Sequence, residues 1–103
     1  MIENYIGKTV AANLFRGMEA VGGKIVFEEN GMTFRSHKLN VQAGDTTILY
    51  NDIAEVKKTN SLGIIPNRMI VVTKEGQEYK FVVNQRNKIV VFLEQRQKVH
   101  LQG

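Results

Sequence analysis

The segment from Gly23 to Ser36, read as Gly-Lys-Ile-Val-Phe-Glu-Glu-Asn-Gly-Met-Thr-Phe-Arg-Ser, indicates the fold class of this chain. Large apolar residues alternate with polar or smaller ones on both sides of Asn30-Gly31, which is typical of half-buried β-strands. Asn-Gly between two such strands predicts a hairpin turn, because both residues tolerate a positive φ. Four side chains of this hairpin would face the core: Ile25, Phe27, Met32 and Phe34.

The same period of two predicts further strands on both sides of this hairpin. A second hairpin is expected from residues 68–73 and 78–83, joined by turn residues 74–77, with Tyr79, Phe81 and Val83 facing the core. Three more strands are predicted at 9–16, 46–50 and 53–57. The chain is therefore expected to be mainly β, with about seven short antiparallel strands.

The period changes after Asn84, which we expect to be the N-cap of a helix over residues 85–100. The apolar residues Ile89, Phe92, Leu93 and Val99 share one face of this helix. Arg86 is expected on another face, and the stem of Arg96 is expected along the edge of the core. An antiparallel barrel has an open end, and this helix has the apolar stripe needed to plug it.

Composition limits the class of protein. The chain has 103 residues, the size of a single domain (1–103, with a core at about 10–101), and a formal net charge of +4 with acids and bases interleaved. No cysteine is present, so disulfides and thiolate metal sites are not expected, and a cytoplasmic location is. No apolar run approaches the ~20 residues that span a bilayer.

Several segments of the chain resemble the GRAM domain, which belongs to the pleckstrin-homology-like superfold: residues 23–27, 32–34, 50–56 and 76–81. The resemblance extends over residues 10 to 101 and includes the order of the elements and the terminal helix. It implies a bent seven-stranded antiparallel barrel capped by one C-terminal α-helix. It also implies a role in binding phosphoinositides or protein segments.

The resemblance implies where an anion would bind, because lipid-binding relatives carry basic residues on the first two strands and the loop between them. In this sequence that region contains Arg16 and Lys24, and Arg35 and Lys38 follow on the next strand. These four residues form the candidate anion-binding set.

Residues 57–68 form the candidate contact loop, because an apolar segment lies in a turn region between cations. The residues of this loop with a candidate role are Lys57, Lys58, Leu62, Ile64, Ile65 and Arg68. One interpretation folds the three apolar side chains back over the barrel, and the other exposes them to a partner or a membrane. We expect the first, so that replacing all three with serine should lower the melting temperature.

Enzymatic and nucleic-acid functions are not indicated by the residues. The two histidines form no metal-ligand pair with each other, and no nucleophile is placed beside a base, so we expect no catalytic residue, metal or cofactor. The aromatic residues Phe27, Phe34, Tyr79 and Phe81 share the core-facing phase, so they are not available to stack bases.

The leading hypothesis is a module that binds a protein or peptide, and the alternative is peripheral binding of anionic lipid. No pattern specifies an oligomeric state.

Overall fold

The computed structural model describes residues 2–37 and 45–102, and side chains up to residue 98. Seven antiparallel strands form one sheet in the order β4-β3-β2-β1-β7-β6-β5, which curls into a half-barrel with β4 and β5 at its edges. A single C-terminal helix, α1, packs against β5 and β6. The expected mainly β, pleckstrin-homology-like architecture is confirmed.

The strands lie where the alternating pattern predicts them, and most are longer than expected. Their bounds are β1 Thr9–Arg16, β2 Glu19–Phe27, β3 Gly31–Ser36, β4 Thr46–Leu49, β5 Ile53–Ser61, β6 Ile65–Thr73 and β7 Glu78–Val83. Tyr50 belongs to a 3-10 turn, Tyr50–Asp52, instead of to β4. Strand β5 extends to Ser61, and β6 begins at Ile65, three residues earlier than expected. The expected loop over residues 57–68 is therefore mostly strand.

The turn between β2 and β3 differs from the prediction. Phe27 pairs with Met32, and the N–H of Glu28 donates to the carbonyl of Gly31 at 2.8 Å, so Glu29 and Asn30 occupy the centre of the turn. Neither Glu29 nor Asn30 has a positive φ. Gly31 instead begins β3, where an added Cβ would lie 2.7 Å from the carbonyl oxygen of Ile48. The glycine is therefore required by the close approach of β4 and not by the turn.

Helix α1, Arg86–Gln102, closes one end of the half-barrel, as its apolar stripe predicts. Phe92 lies at the centre of an aromatic cluster, with its ring centroid 5.7 Å from that of Tyr5, 5.6 Å from Phe27 and 5.9 Å from Tyr50. Leu93 is fully buried beside it. Tyr5, which precedes the first predicted strand, is thus a core residue, and its hydroxyl donates to Gln85 Oε1 at 2.8 Å.

Two details of the helix prediction are wrong. The carbonyl of Gln85, and not that of Asn84, accepts the first helical hydrogen bond, from Ile89 N–H at 3.1 Å, so the N-cap lies one residue later. Arg86 is buried, although we expected it on a face other than the apolar one. It lies three residues before Ile89 and four before Val90, so it falls on the apolar stripe. The predicted core position of Val99 lies outside the described side chains.

Candidate functional site

The tip of the β5–β6 hairpin, residues 62–65, brings three exposed large apolar side chains together. The N–H of Ile64 donates to the carbonyl of Ser61 at 3.1 Å, which closes a turn with Leu62 and Gly63 at its centre. Both central residues have a positive φ, 54° for Leu62 and 75° for Gly63. Glycine adopts this conformation freely, whereas for a bulky side chain such as leucine it is an outlier.

The apolar side chains of this tip are exposed, and the interpretation in which they cover the core is wrong. Leu62 is 88% exposed, Ile64 79% and Ile65 44%. The register explains this result. Because β5 pairs with β6 as far as Ser61 and Ile65, the paired hairpin holds its tip outward and cannot fold back over the barrel.

The base of the hairpin is fixed to the helix by Arg86. Its Nη1 donates to the carbonyls of Thr59, at 2.8 Å, and of Arg68, at 3.1 Å, and its Nε donates to Asn87 Oδ1. These acceptors satisfy a buried guanidinium without a carboxylate partner. The β5–β6 register shifts between Thr59 and Ser61, next to this contact. Arg86 therefore ties the last regular pair of the hairpin to the first turn of α1.

A second network stabilises the same hairpin from its outer side. Ser61 Oγ donates to Asn67 Oδ1 at 2.6 Å and accepts from Arg68 Nε at 2.9 Å. The guanidinium of Arg68 lies 4.8 Å from the ring centroid of Phe15, which is a cation–π contact. Arg68, expected as a flanking contact residue, is thus half-buried and engaged within the domain.

The two predicted lysines of the contact loop point to different faces of the edge strand β5. Lys57 pairs with Ile70, on the outer face of the sheet, and Lys58 pairs with the buried Met69. Both lysines are exposed. The chain has no Asp or Glu between Glu55 and Glu75, so the hairpin from residue 56 to the end of β6 contains no acidic residue.

The candidate anion-binding residues do not all come together. Lys24 and Arg35 are cross-strand neighbours on β2 and β3, and both are exposed. Arg35 Nε lies 3.7 Å from Asp45 Oδ2. Lys24 pairs with Ala11 of β1, and Arg16 lies five residues further along that strand, at a distance of about 17 Å. The Nη2 of Arg16 donates to Thr46 Oγ1 at 3.4 Å. Lys38 falls outside the described residues.

Tyr50 is the described residue whose pKa is most strongly shifted, and its surroundings indicate a role in stabilising the fold. Burial raises the pKa of Tyr50 to about 12, opposed by the guanidinium of Arg96, which lies 5.4 Å from the ring centroid. Its hydroxyl donates to the carbonyl of Glu28 at 2.8 Å. A neutral phenol in such a contact orients the turn before β3. Within residues 2–37 and 45–102, no group of three His, Asp or Glu side chains could hold a metal ion.

Reasoning from the sequence missed the role of Arg86 and the outward direction of the hairpin tip. The i, i+3, i+4 spacing of Arg86 with Ile89 and Val90 is a signal that could have identified the first. The dipeptide Leu62-Gly63 between two strand-forming segments is a weaker signal for the position of the turn.

Comparison with protein families gives one match over most of the chain. A family model described as the GRAM domain matches residues 3–101. No curated protein matches the sequence significantly. In the described residues, no helix is long and apolar enough to cross a membrane.

Solved structures with a similar fold come from several organisms. The C-terminal domain of an unknown protein from Leishmania infantum has a TM-score of 0.75 at 18% identity, covering 90% of this chain and 84% of that one. The N-terminal PH domain of human ARAP2 has a TM-score of 0.72 at 15% identity, covering 89% and 79%. Inner Membrane Complex Sub-compartment Protein 3 from Toxoplasma gondii has a TM-score of 0.70 at 14% identity, covering 90% and 77%. At these identities the likeness concerns the fold alone.

Proposed function

The chain belongs to the GRAM domain family, and on that premise we propose that it is a non-catalytic module that binds a protein or peptide segment through the tip of its β5–β6 hairpin. Domains of the GRAM and pleckstrin-homology-like type generally serve as interaction or lipid-binding modules. The contact surface consists of Leu62, Gly63, Ile64 and Ile65.

The conformation of Leu62 is the observation that carries this proposal. A left-handed φ at a residue with a side chain costs about 1–2 kcal/mol, which glycine avoids and asparagine reduces. At 88% exposure, Leu62 recovers little of this cost through burial within the domain. Backbone strain of this kind is concentrated at binding and catalytic sites. An exposed, strained leucine beside an exposed isoleucine is therefore best explained by contact with a partner.

The base of the hairpin supports the same conclusion. Arg86 fixes the backbone at Thr59 and Arg68, and Ser61 fixes the outer side, so the tip is presented on a rigid support. A preorganised surface loses less conformational entropy when it binds. Leu62 and Ile64 would then enter an apolar pocket on the partner as anchors.

Peripheral binding to anionic lipid is a second candidate, supported by the exposed lysines Lys57 and Lys58 on a part of the hairpin, residues 56–74, that has no acidic residue. An apolar tip can enter the interface of a bilayer while cations behind it remain near the anionic head groups. Because charge attraction is screened within about 8 Å at physiological salt, such binding would weaken as salt is added.

Site-specific photo-cross-linking in cells tests the proposal. A benzophenone amino acid in place of Leu62 should give defined protein adducts, which an excess of the unlabelled wild-type domain should suppress. An excess of the Leu62→Asn, Ile64→Ser double variant should not suppress them. The same probe in place of Met18, in the fully exposed β1–β2 turn, is the matched control.

Vesicle flotation separates the two candidates. If the target is a protein, the domain should not float with vesicles of phosphatidylcholine and phosphatidylserine at moderate salt. Flotation that is lost both in the double variant and on adding salt, without protein adducts at position 62, would replace the protein hypothesis with the lipid one. Adducts that the double variant suppresses as well as the wild type would contradict any contact at the tip.

A further inference from the structure

The outer face of β5, β6 and β7 carries a regular pattern of charge. In the strand register, one row across the three strands is Glu55, Val72 and Glu78, and the next row is Lys57, Ile70 and Lys80. The neighbouring residues of β6 in the opposite phase, Met69 and Val71, are fully buried, so both rows face outward. Ile70 and Val72 are half-buried, whereas the four charged side chains are exposed.

We call the surface formed by these six residues the channel. An apolar line follows β6 through Ile70 and Val72, and charged side chains from β5 and β7 stand on either side. The two rows lie two residues apart, which is about 7 Å along a strand. None of the four charged residues forms an ion pair within residues 2–37 and 45–102. Their charges are therefore available to a ligand.

The sign of the charge reverses from one row to the next within a Debye length of about 8 Å. A uniformly anionic surface, such as a lipid bilayer or a nucleic acid, would be attracted by Lys57 and Lys80 and repelled by Glu55 and Glu78. A polypeptide can place an acid against one row and a base against the next. Same-face side chains of an extended segment also repeat at about 7 Å, which matches the spacing of the rows.

We propose that a partner protein lays an extended segment along the outer face of β6. Apolar side chains of the segment pack on Ile70 and Val72. An acidic side chain meets Lys57 and Lys80, and a basic one meets Glu55 and Glu78. This inference rests on the proposed protein-binding function, and it assigns the chemistry of the bound segment. The hairpin tip and the channel are two parts of one contact surface, because β5 and β6 form both.

Peptide selection tests the inference. A displayed library of random 12-residue peptides is selected on the wild-type domain and on a charge-swapped variant, Lys57→Glu, Lys80→Glu, Glu55→Lys, Glu78→Lys, which keeps the net charge. Peptides from the wild type should contain an acid and a base two residues apart beside apolar residues. They should bind the swapped variant at least tenfold more weakly and shift amide resonances of β5–β7. The swapped variant should select the reversed order of charges.

The control is Glu94→Lys with Lys98→Glu, two exposed sites on α1 outside the channel, which keeps the net charge and should bind the selected peptides as the wild type does. The inference is overturned if no peptide is selected, or if the selected peptides bind the swapped variant equally well. Peptides that lose affinity only in the Leu62→Asn, Ile64→Ser variant would support the tip and overturn the channel. Charge-dependent binding that leaves the tip variant unaffected would support the channel and contradict the tip as the primary contact.

Discussion

The hairpins β2–β3 and β5–β6 are both closed by tight turns, and they use their turn residues in opposite ways. At the β2–β3 turn the central residues are polar and have ordinary φ values. All three backbone carbonyls from Glu28 to Asn30 accept hydrogen bonds from Tyr50 or Arg96. At the β5–β6 turn the central pair is Leu62 and Gly63, with positive φ and an exposed apolar side chain. The β2–β3 turn is thus hydrogen-bonded to the rest of the domain, whereas the side chains of the β5–β6 tip are exposed.

This difference shows how stability and contact are divided between the two hairpins. The residues around the β2–β3 turn are explained by the hydrogen bonds and packing of the domain itself. At the β5–β6 tip, Leu62 has a φ of 54° and is exposed, so we expect the tip to lower the stability of the isolated domain, as a proposed contact with a partner would explain. Mutations should therefore have opposite effects in the two regions.

The largest effect is expected where the β2–β3 turn is supported. Phe92→Ala removes the ring that packs against Tyr5, Phe27 and Tyr50, and it should lower the free energy of unfolding by about 3–5 kcal/mol. Urea denaturation measures the change. Met18→Ala, at a fully exposed position, is the control and should have no measurable effect. A loss of less than 1 kcal/mol for Phe92→Ala would be inconsistent with the helix closing the barrel.

Glycine substitutions sharpen the comparison next. Gly31→Ala should cost about 1–3 kcal/mol, because the new Cβ would meet the carbonyl oxygen of Ile48 and force β3 and β4 apart. Gly76→Ala, at a positive φ in open space, should cost only about 1 kcal/mol through backbone strain. Thermal unfolding of the two variants gives the order. If Gly76→Ala proved the more damaging, the close approach of β4 to Gly31 would be refuted.

A smaller effect is expected at the anchor of the β2–β3 turn. Tyr50→Phe removes the hydroxyl that donates to Glu28 and should cost about 1 kcal/mol at pH 7. Since the folded pKa of Tyr50 is raised to about 12, the folded state holds this proton more tightly than the unfolded state. That contribution to stability is present below pH 10 and is lost between pH 10 and 12. The wild type should thus lose stability more steeply than Tyr50→Phe in that range, and parallel pH profiles would contradict the assignment.

The smallest effect should have the opposite sign. Leu62→Asn should leave the free energy of unfolding unchanged or raise it by up to about 1 kcal/mol, because asparagine tolerates the left-handed conformation better. Leu62→Val is the matched control and should lower stability, since a branched Cβ is least tolerated there. Replacing Leu62, Ile64 and Ile65 together with serine should barely shift the melting temperature. A large drop in that triple variant would restore the interpretation in which the tip covers the core.

The sequence predicted the strands and the helix well because those signals are local. Alternation at Ile25, Phe27, Met32 and Phe34 reports which side of a strand is buried, and all four are buried. The position of the β2–β3 turn was displaced because Asn30-Gly31 has two explanations, a positive φ or a close approach, and only the neighbouring strand β4 distinguishes them. Whether residues 57–68 form a loop or two strands depended on how far the pairing of β5 with β6 extends.

The sequence selected candidate contact residues, but it did not predict that the apolar ones are exposed. Lys57, Lys58, Leu62, Ile64 and Ile65 were identified from an apolar segment between cations, and all five are exposed. Arg68 and Arg16 are engaged within the domain, by Phe15 and by Thr46, which no spacing in the sequence could indicate. The channel on β5–β7 depends on three strands becoming neighbours in one register.

By itself, the sequence determined that this chain forms antiparallel strands closed by one amphipathic helix, because the hydrophobic period is a property of neighbouring residues. It also carried enough family pattern to indicate a GRAM domain. Only the tertiary structure decided that Leu62 points away from the barrel, that Arg86 is buried and that Glu55 and Lys57 border one channel. These outcomes depend on long-range pairing, in which a shift of one residue would turn every side chain of a strand to the other face.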